Sequence, residues 1–212
     1  MKLVKTKDES VTFFNSEVGD YYHSQSGAKE EAFEKHAKAL GVKDRCVIFD
    51  MGFGLGYNTA AALDLIDNCV IYCFENDKEI LKKVLEIDAD FKSYSLIKEF
   101  VKGFFNGEMV YSQKGVRLVM VFGDAREKIK EVSEKADFVF FDAFSPAKVP
   151  EMWTSEFFLE IRNKMNKEGK LSTYSCARFA RENLKNAGFE VKDGPVVGRN
   201  SPGTIAINSE NS

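Results

Sequence analysis

The sequence predicts an α/β fold built on a mostly parallel sheet of seven strands, the last antiparallel, with helices on both faces. Three observations carry that expectation. Short apolar runs alternate with segments of helical period, the order that builds a parallel sheet covered on both sides. The first run, Cys46-Val47-Ile48-Phe49, breaks at once into a loop with glycines at alternate positions, Gly52, Gly54 and Gly56. Acids close the runs at Asp50, Glu75, Asp124 and Asp142, and ligands of open parallel sheets bind outside those carboxyl ends.

In chain order, residues 29 to 40 bring Phe33, Ala37 and Leu40 to one helical face, with Gly41 as the stop. Strand one spans 46 to 50 and a helix opens near Asn58. Val70 to Phe74 form the second strand, followed by a helix with Leu81, Val84, Leu85 and Asp88 on one face. Residues 91 to 105 read as helical. Met109 to Tyr111 and Arg117 to Phe122 then flank Gln113-Lys114-Gly115, a short edge hairpin feeding the third strand. Asp137 to Asp142 is the fourth, and Pro150 opens a helix carrying Trp153, Phe157, Phe158, Ile161 and Met165. Lys170 to Ser175 is the fifth strand. A helix from about Ala177 to Ala187 stops at Gly188, and Phe189 to Lys192 with Thr204 to Asn208 form a final hairpin. The 212 residues read as one domain, with residues 1–44 as an N-terminal hairpin and helix extension.

Hydrophobic residues make up 44% and charged residues 30%, ordinary for a globular chain. No apolar run reaches the roughly 20 residues of a membrane span, and the N-terminus lacks the apolar core of a signal peptide, so a cytoplasmic location with no membrane partner is expected. A net charge of -3 gives no global signature of nucleic-acid binding, although a local basic patch would serve. Cys46, Cys69, Cys73 and Cys176 lie mostly in apolar runs, and with only His23 and His36 to help them they do not compose a metal cage. No metal is expected.

The glycine loop lets backbone lie against a flat ligand with no Cβ between them. Its spacing departs from the dinucleotide pattern G-x-G-x-x-G, where Tyr57 takes the third glycine's slot. Asp50 beside a pyrophosphate would also be repulsive. Both departures favour a nucleoside that carries positive charge and no phosphate, which describes S-adenosylmethionine. Asp50, Gly52, Phe53, Gly54, Gly56 and Asn58 are therefore candidate donor-binding residues, with a plain turn as the alternative. Glu75 lies 19 residues past Gly56, where a ribose-hydroxyl acceptor is expected. Asp124 suits the adenine amino group or a helix N-cap. Asp142 would face the reacting methyl and orient an acceptor amine, or it caps its own loop through Ser145.

The segment Phe141-Asp142-Ala143-Phe144-Ser145-Pro146-Ala147-Lys148-Val149-Pro150-Glu151-Met152-Trp153-Thr154 closely resembles the D-G-F-x-P-x-K-x-P-x-M-W signature of MnmC-like tRNA methyltransferases. Gly19 to Ala32 is similar to that family's Y-H-S-x-x-G-x-x-E-E run, and the glycine loop to its G-F-G-x-G-x-N form. The likeness runs from about Val11 through the final strand. It implies a Rossmann-like class I methyltransferase fold and transfer of a methyl group from S-adenosylmethionine to the aminomethyl nitrogen of 5-aminomethyl(-2-thio)uridine at the tRNA wobble position. Carried over by position, Gly52, Gly54, Gly56, Glu75 and Asp124 become donor-site residues, and Asp142 the acid beside the acceptor amine. The bifunctional relatives continue into a flavin-dependent domain, for which these residues leave no room, so no flavin is expected. Tyr22, Phe144 and Trp153 are candidate stacking platforms for the target uridine, Trp153 being equally suited to the core. Lys148, Arg178, Arg181 and Arg199 are candidate tRNA-phosphate contacts or solvated charges. The chain departs from the pattern in two places: Ala143 stands for a glycine, and the five residues Arg199 to Gly203 replace a more basic stretch. A monomer is compatible with this reading. The competing expectations are a spermidine-synthase-like aminopropyltransferase, for whose N-terminal β-domain roughly 45 residues leave little space, and a nucleotide-binding oxidoreductase or sensor module.

Overall fold

The computed structural model describes residues 1–23, 27–198 and 200–209. The chain opens with a small antiparallel sheet, β1 (Lys2–Lys5), β2 (Val11–Asn15) and β3 (Asp20–Tyr21). A helical stretch follows: α1 (Ala28–Glu31), a π-helical segment (Ala32–Ala37) and α2 (Lys38–Leu40), closed by Gly41 in the left-handed conformation. Next come β4 (Cys46–Met51), α3 (Tyr57–Leu63), β5 (Cys69–Glu75), α4 (Lys78–Glu86) and α5 (Tyr94–Phe105). A hairpin joins β6 (Val110–Gln113) to β7 (Val116–Phe122) through Lys114 and Gly115, both with positive φ as a tight hairpin turn requires. The remainder is α6 (Ala125–Lys128), β8 (Ala136–Phe141), α7 (Ser155–Asn163), β9 (Met165–Thr173), α8 (Arg178–Asn186), β10 (Glu190–Val196) and β11 (Pro202–Ile207).

The main sheet runs β10-β11-β9-β8-β4-β5-β7-β6. Its centre, β9-β8-β4-β5-β7, is parallel, and β11 runs antiparallel to both neighbours. It holds eight strands rather than seven, because the short arm β6 pairs with β7 over its full length. Strands β4, β5, β7 and β8 are mostly apolar because both faces are covered, whereas β9 is apolar only at Met165 and Leu171. Alternation divides their side chains between two cores: Ile48, Ile71, Phe138 and Phe140 pack with α3 and α5, whereas Phe49, Phe74, Val139 and Phe141 pack with Trp153, α7 and α8.

Three elements differ from the sequence reading. Pro150–Trp153 is a separate 3₁₀ turn, because Thr154 takes an extended conformation and caps α7 by accepting from the Phe157 N–H at 3.2 Å. Met165 begins β9 instead of ending a helix, with a register shift beyond its pairing with Ala136. The N-terminal residues form three strands, with Tyr57 Oη donating to the Val11 carbonyl at 2.9 Å to fasten the small sheet to α3. Among the described residues no helix is long and apolar enough to cross a membrane.

Candidate active site

The carboxyl ends of β7, β5, β4 and β8 open into one cavity of about 390 Å³. At its floor the chain leaves β4 through Gly52 at φ +89°, and both Gly52 and Phe53 donate backbone N–H bonds to the Phe74 carbonyl. A Cβ at Gly52 would stand 2.7 Å from the Asp142 carbonyl oxygen, so this backbone approach admits only glycine. Gly56 is equally confined, by Ile97 at 2.7 Å and the Phe53 ring at 2.8 Å.

Glu75 lines the cavity and is buried. It accepts backbone N–H bonds from Gly54 at 2.8 Å, Asn76 at 2.8 Å and Asp77 at 2.9 Å. Burial nevertheless pushes its carboxyl above the usual range, so a cationic ligand or hydroxyl donors would stabilise its charged form. Asp124 also lines the cavity and is the N-cap of α6. It accepts from the Arg126 backbone at 2.9 Å and is gripped by the Arg126 guanidinium, which holds its carboxyl below the usual range. Asp142 receives the Asn58 amide at 2.9 Å. Ser145, its expected capping partner, donates instead to Asp20 at 2.9 Å, latching the N-terminal segment onto the loop after β8.

That N-terminal segment forms the facing wall and supplies residues the strand-end reasoning missed. Tyr22 and Phe144 line the cavity with ring centroids 4.9 Å apart, and the Tyr22 hydroxyl donates to Asp77. His23 Nδ1 lies 3.8 Å from one Asp142 oxygen and His36 Nε2 lies 3.9 Å from the other. Both imidazoles are buried, which lowers their affinity for protons, His36 to about 4. His23 stacks on Tyr57 at 4.8 Å and its Nε2 has no partner, while His36 Nδ1 meets Ser172 Oγ at 2.9 Å. Lys35 and Glu31 complete the wall as an ion pair. The signal for His23 was its place in the Tyr-His-Ser run; His36 and Lys35 carry no local signature. Six carboxylates, of Asp20, Glu31, Glu75, Asp124, Asp142 and Glu151, therefore line the cavity against the cations of Lys35 and Arg126.

Other expected site residues lie elsewhere. Asp50 and Phe53 have no exposed surface: Asp50 accepts from Thr59 Oγ1 at 2.6 Å, and Phe53 packs edge-on against Phe100. Asn58 is buried behind Asp142. Trp153 has no exposed surface and is wedged against Phe141, its indole N–H donating to the Phe144 carbonyl at 2.8 Å, so it offers no face to a base. It fixes Phe144 from behind instead. Arg178 is exposed and pairs with Glu182. Arg181 is spent on Thr204, the Gly203 carbonyl and Asp193, bracing β10 and β11. Lys148 is exposed near Gly19 at the rim, and Arg199 lies outside the described residues. Among the described residues no cluster of ligands for a metal ion occurs.

A family described as S-adenosyl-L-methionine-dependent methyltransferase matches residues 91–209. An uncharacterised protein of Methanocaldococcus jannaschii is 33% identical over 99% of this chain and 60% of its own length. The tRNA 5-methylaminomethyl-2-thiouridine biosynthesis bifunctional protein MnmC of Pseudomonas fluorescens is 30% identical over 84% of this chain. The chain spans only 30% of that protein. Among solved structures, MnmC2 from Aquifex aeolicus superposes with a TM-score of 0.77 at 33% identity, over 97% of this chain and 69% of that one. Spermidine synthase from Thermotoga maritima shares the fold alone, at 12% identity and a TM-score of 0.58 over 98% of this chain and 71% of that one. Before β4 this chain carries the small three-stranded sheet β1–β3 and one helical stretch. The family match over residues 91–209 and the 33%-identical superposition over nearly the whole chain establish the family: the chain belongs to the MnmC-like family of S-adenosyl-L-methionine-dependent methyltransferases.

Proposed function

We propose that this protein transfers a methyl group from S-adenosylmethionine to the aminomethyl nitrogen of 5-aminomethyl(-2-thio)uridine at the tRNA wobble position, with tRNA met in the cytoplasm. The observation that carries the reading is the cavity's charge: a wall of carboxylates suits a sulfonium donor and an amine acceptor, and opposes an acceptor that bears a carboxylate. The bound donor supplies a methyl carbon already activated for displacement. Gly52 and Gly54 give it backbone without a Cβ, Glu75 accepts its ribose hydroxyls, and Asp124 accepts from the adenine amino group. Tyr22 and Phe144, fixed by Asp77 and Trp153, hold the uracil. Alignment is the main contribution of the chain to such a displacement. Asp142, steadied by Asn58, orients the amine and accepts the proton that must leave before the nitrogen lone pair is free.

The test is methyl transfer from labelled donor to tRNA carrying either aminomethyluridine or the carboxymethylaminomethyl form. Label is expected on the first only. Equal labelling of both, or transfer to a free polyamine, overturns the substrate assignment. In the same assay Asp142→Ala retains donor binding and loses turnover, whereas Glu75→Ala weakens donor binding.

A further inference from the structure

The Lys35 side chain is 1% exposed, yet it lines the cavity, with Nζ 2.5 Å from Glu31 Oε1. A buried ammonium is costly unless anions surround it. An ammonium has three donors, and Glu31 takes one of them.

Its place in the fold narrows what the others serve. The strand ends line the cavity in the order β7 with Asp124, β5 with Glu75, β4 with Gly52 and β8 with Asp142. A nucleoside with its base at β7 and its ribose at β5 directs its remaining arm over β4 toward β8. The π-helical segment carrying Lys35 packs against α3 and β9 at that same end, and the next residue, His36, faces Asp142. The other cavity cation, Arg126, stands at the opposite end with Asp124 on its guanidinium. A π-helical turn inside a helix is frequently a mark of a working site.

We propose that Lys35, held by Glu31, is the receptor for the carboxylate of the donor's amino-acid end, and so selects S-adenosylmethionine over its decarboxylated analogue. This rests on the methyl-donor reading above and deepens it. The amino-acid end is a zwitterion, and the Lys35–Glu31 pair meets it charge for charge, the ammonium taking the carboxylate and the carboxylate facing the amino group. The selection matters because this fold is shared with spermidine synthase, and aminopropyl transfer requires a donor that has lost that carboxylate. The lysine therefore assigns the donor within a shared architecture.

Calorimetry on the full chain with S-adenosylmethionine, S-adenosylhomocysteine and decarboxylated S-adenosylmethionine tests this. The unaltered protein is expected to bind the two carboxylate-bearing ligands at least about tenfold more tightly than the decarboxylated one. Lys35→Met should weaken those two roughly 10- to 100-fold, the span of a charge-assisted bond, while leaving the decarboxylated ligand within about twofold. Lys35→Arg, which keeps the charge, should restore much of the preference, and a thermal melt of each variant reports that it is folded. Equal affinity of the unaltered protein for both donors overturns the inference without any variant. Equal weakening of all three ligands by Lys35→Met assigns the lysine to the wall's structure and also overturns it. Unchanged donor affinity in that variant with a raised KM for tRNA transfers the lysine to the acceptor and does the same. Failure of the unaltered protein to bind any of the three ligands sinks the methyl-donor reading itself, a distinct result.

Discussion

Asp50, one residue before the end of β4, has no exposed surface, one carboxyl oxygen bonded to Thr59 and the other without a partner. Burial, reinforced by the charges of Asp142 and Glu75, pushes its carboxyl up to about 7 against the bond from Thr59. The stability linked to this group is fully present below its unfolded value and is lost as pH rises through about 7. His36 has the opposite sign. Burial brings it down to about 4, so its contribution is present above the unfolded value near 6.5 and is lost as pH falls through about 4. The two slopes oppose one another in the unaltered protein, which conceals both. Asp50→Asn separates them: its gain over the parent should be larger at pH 8 than at pH 5, growing by up to about 1.4 kcal/mol for each pH unit as the solution approaches neutrality. Urea midpoints at the two pH values measure this, and an identical gain at both would falsify the assignment of the buried charge.

Between neighbouring elements, the approach of the β4 loop to the loop after β8 is set by one missing Cβ. At Gly52 that atom would meet the Asp142 carbonyl oxygen at 2.7 Å and its carbon at 3.0 Å, both backbone atoms with no rotamer to escape into. At Gly54 the nearest atom is 3.6 Å away, leaving only the positive φ of 56° as a cost. Gly54→Ala is therefore expected to destabilise by about 1–2 kcal/mol and remain folded. Gly52→Ala should cost more and lose donor binding, because β4 and β8 must part. Chemical denaturation with donor titration checks the pair, and equal losses at both positions would contradict the clash. Both glycines are conspicuous in the sequence, but their different reasons are not, since one depends on a residue 90 positions away. Thr154 is hidden in a similar way: the helical period runs through it, and only its backbone conformation and cap reveal that α7 starts afresh.

On the scale of the whole molecule, the cavity is bounded by the main sheet on one side and the N-terminal segment on the other. These are fastened by Tyr22 to Asp77, Ser145 to Asp20 and Tyr57 to Val11. A ligand bound between them stabilises the assembled wall by mass action, about 2.7 kcal/mol at a hundredfold excess over Kd. The melting temperature should then rise by roughly 5–10 °C with saturating S-adenosylmethionine. A scan without donor and one with it decide the point, and an unshifted melt counts against a donor seated between the two walls.

The parallel core of the sheet, the glycine loop and the acids that end the strands are legible in the order of residues alone. Each of those signals is local: a continuous apolar run, a residue without a Cβ, a charge where apolar character stops. What stands opposite them is settled by the folded chain. The pairing of the two-residue strand β3 with β2, the approach of His23 and His36 to Asp142, the ion pair at Lys35 and the burial of Trp153 all depend on how distant elements pack. Hydropathy and spacing carry no information about them, because they arise from which faces the fold brings together.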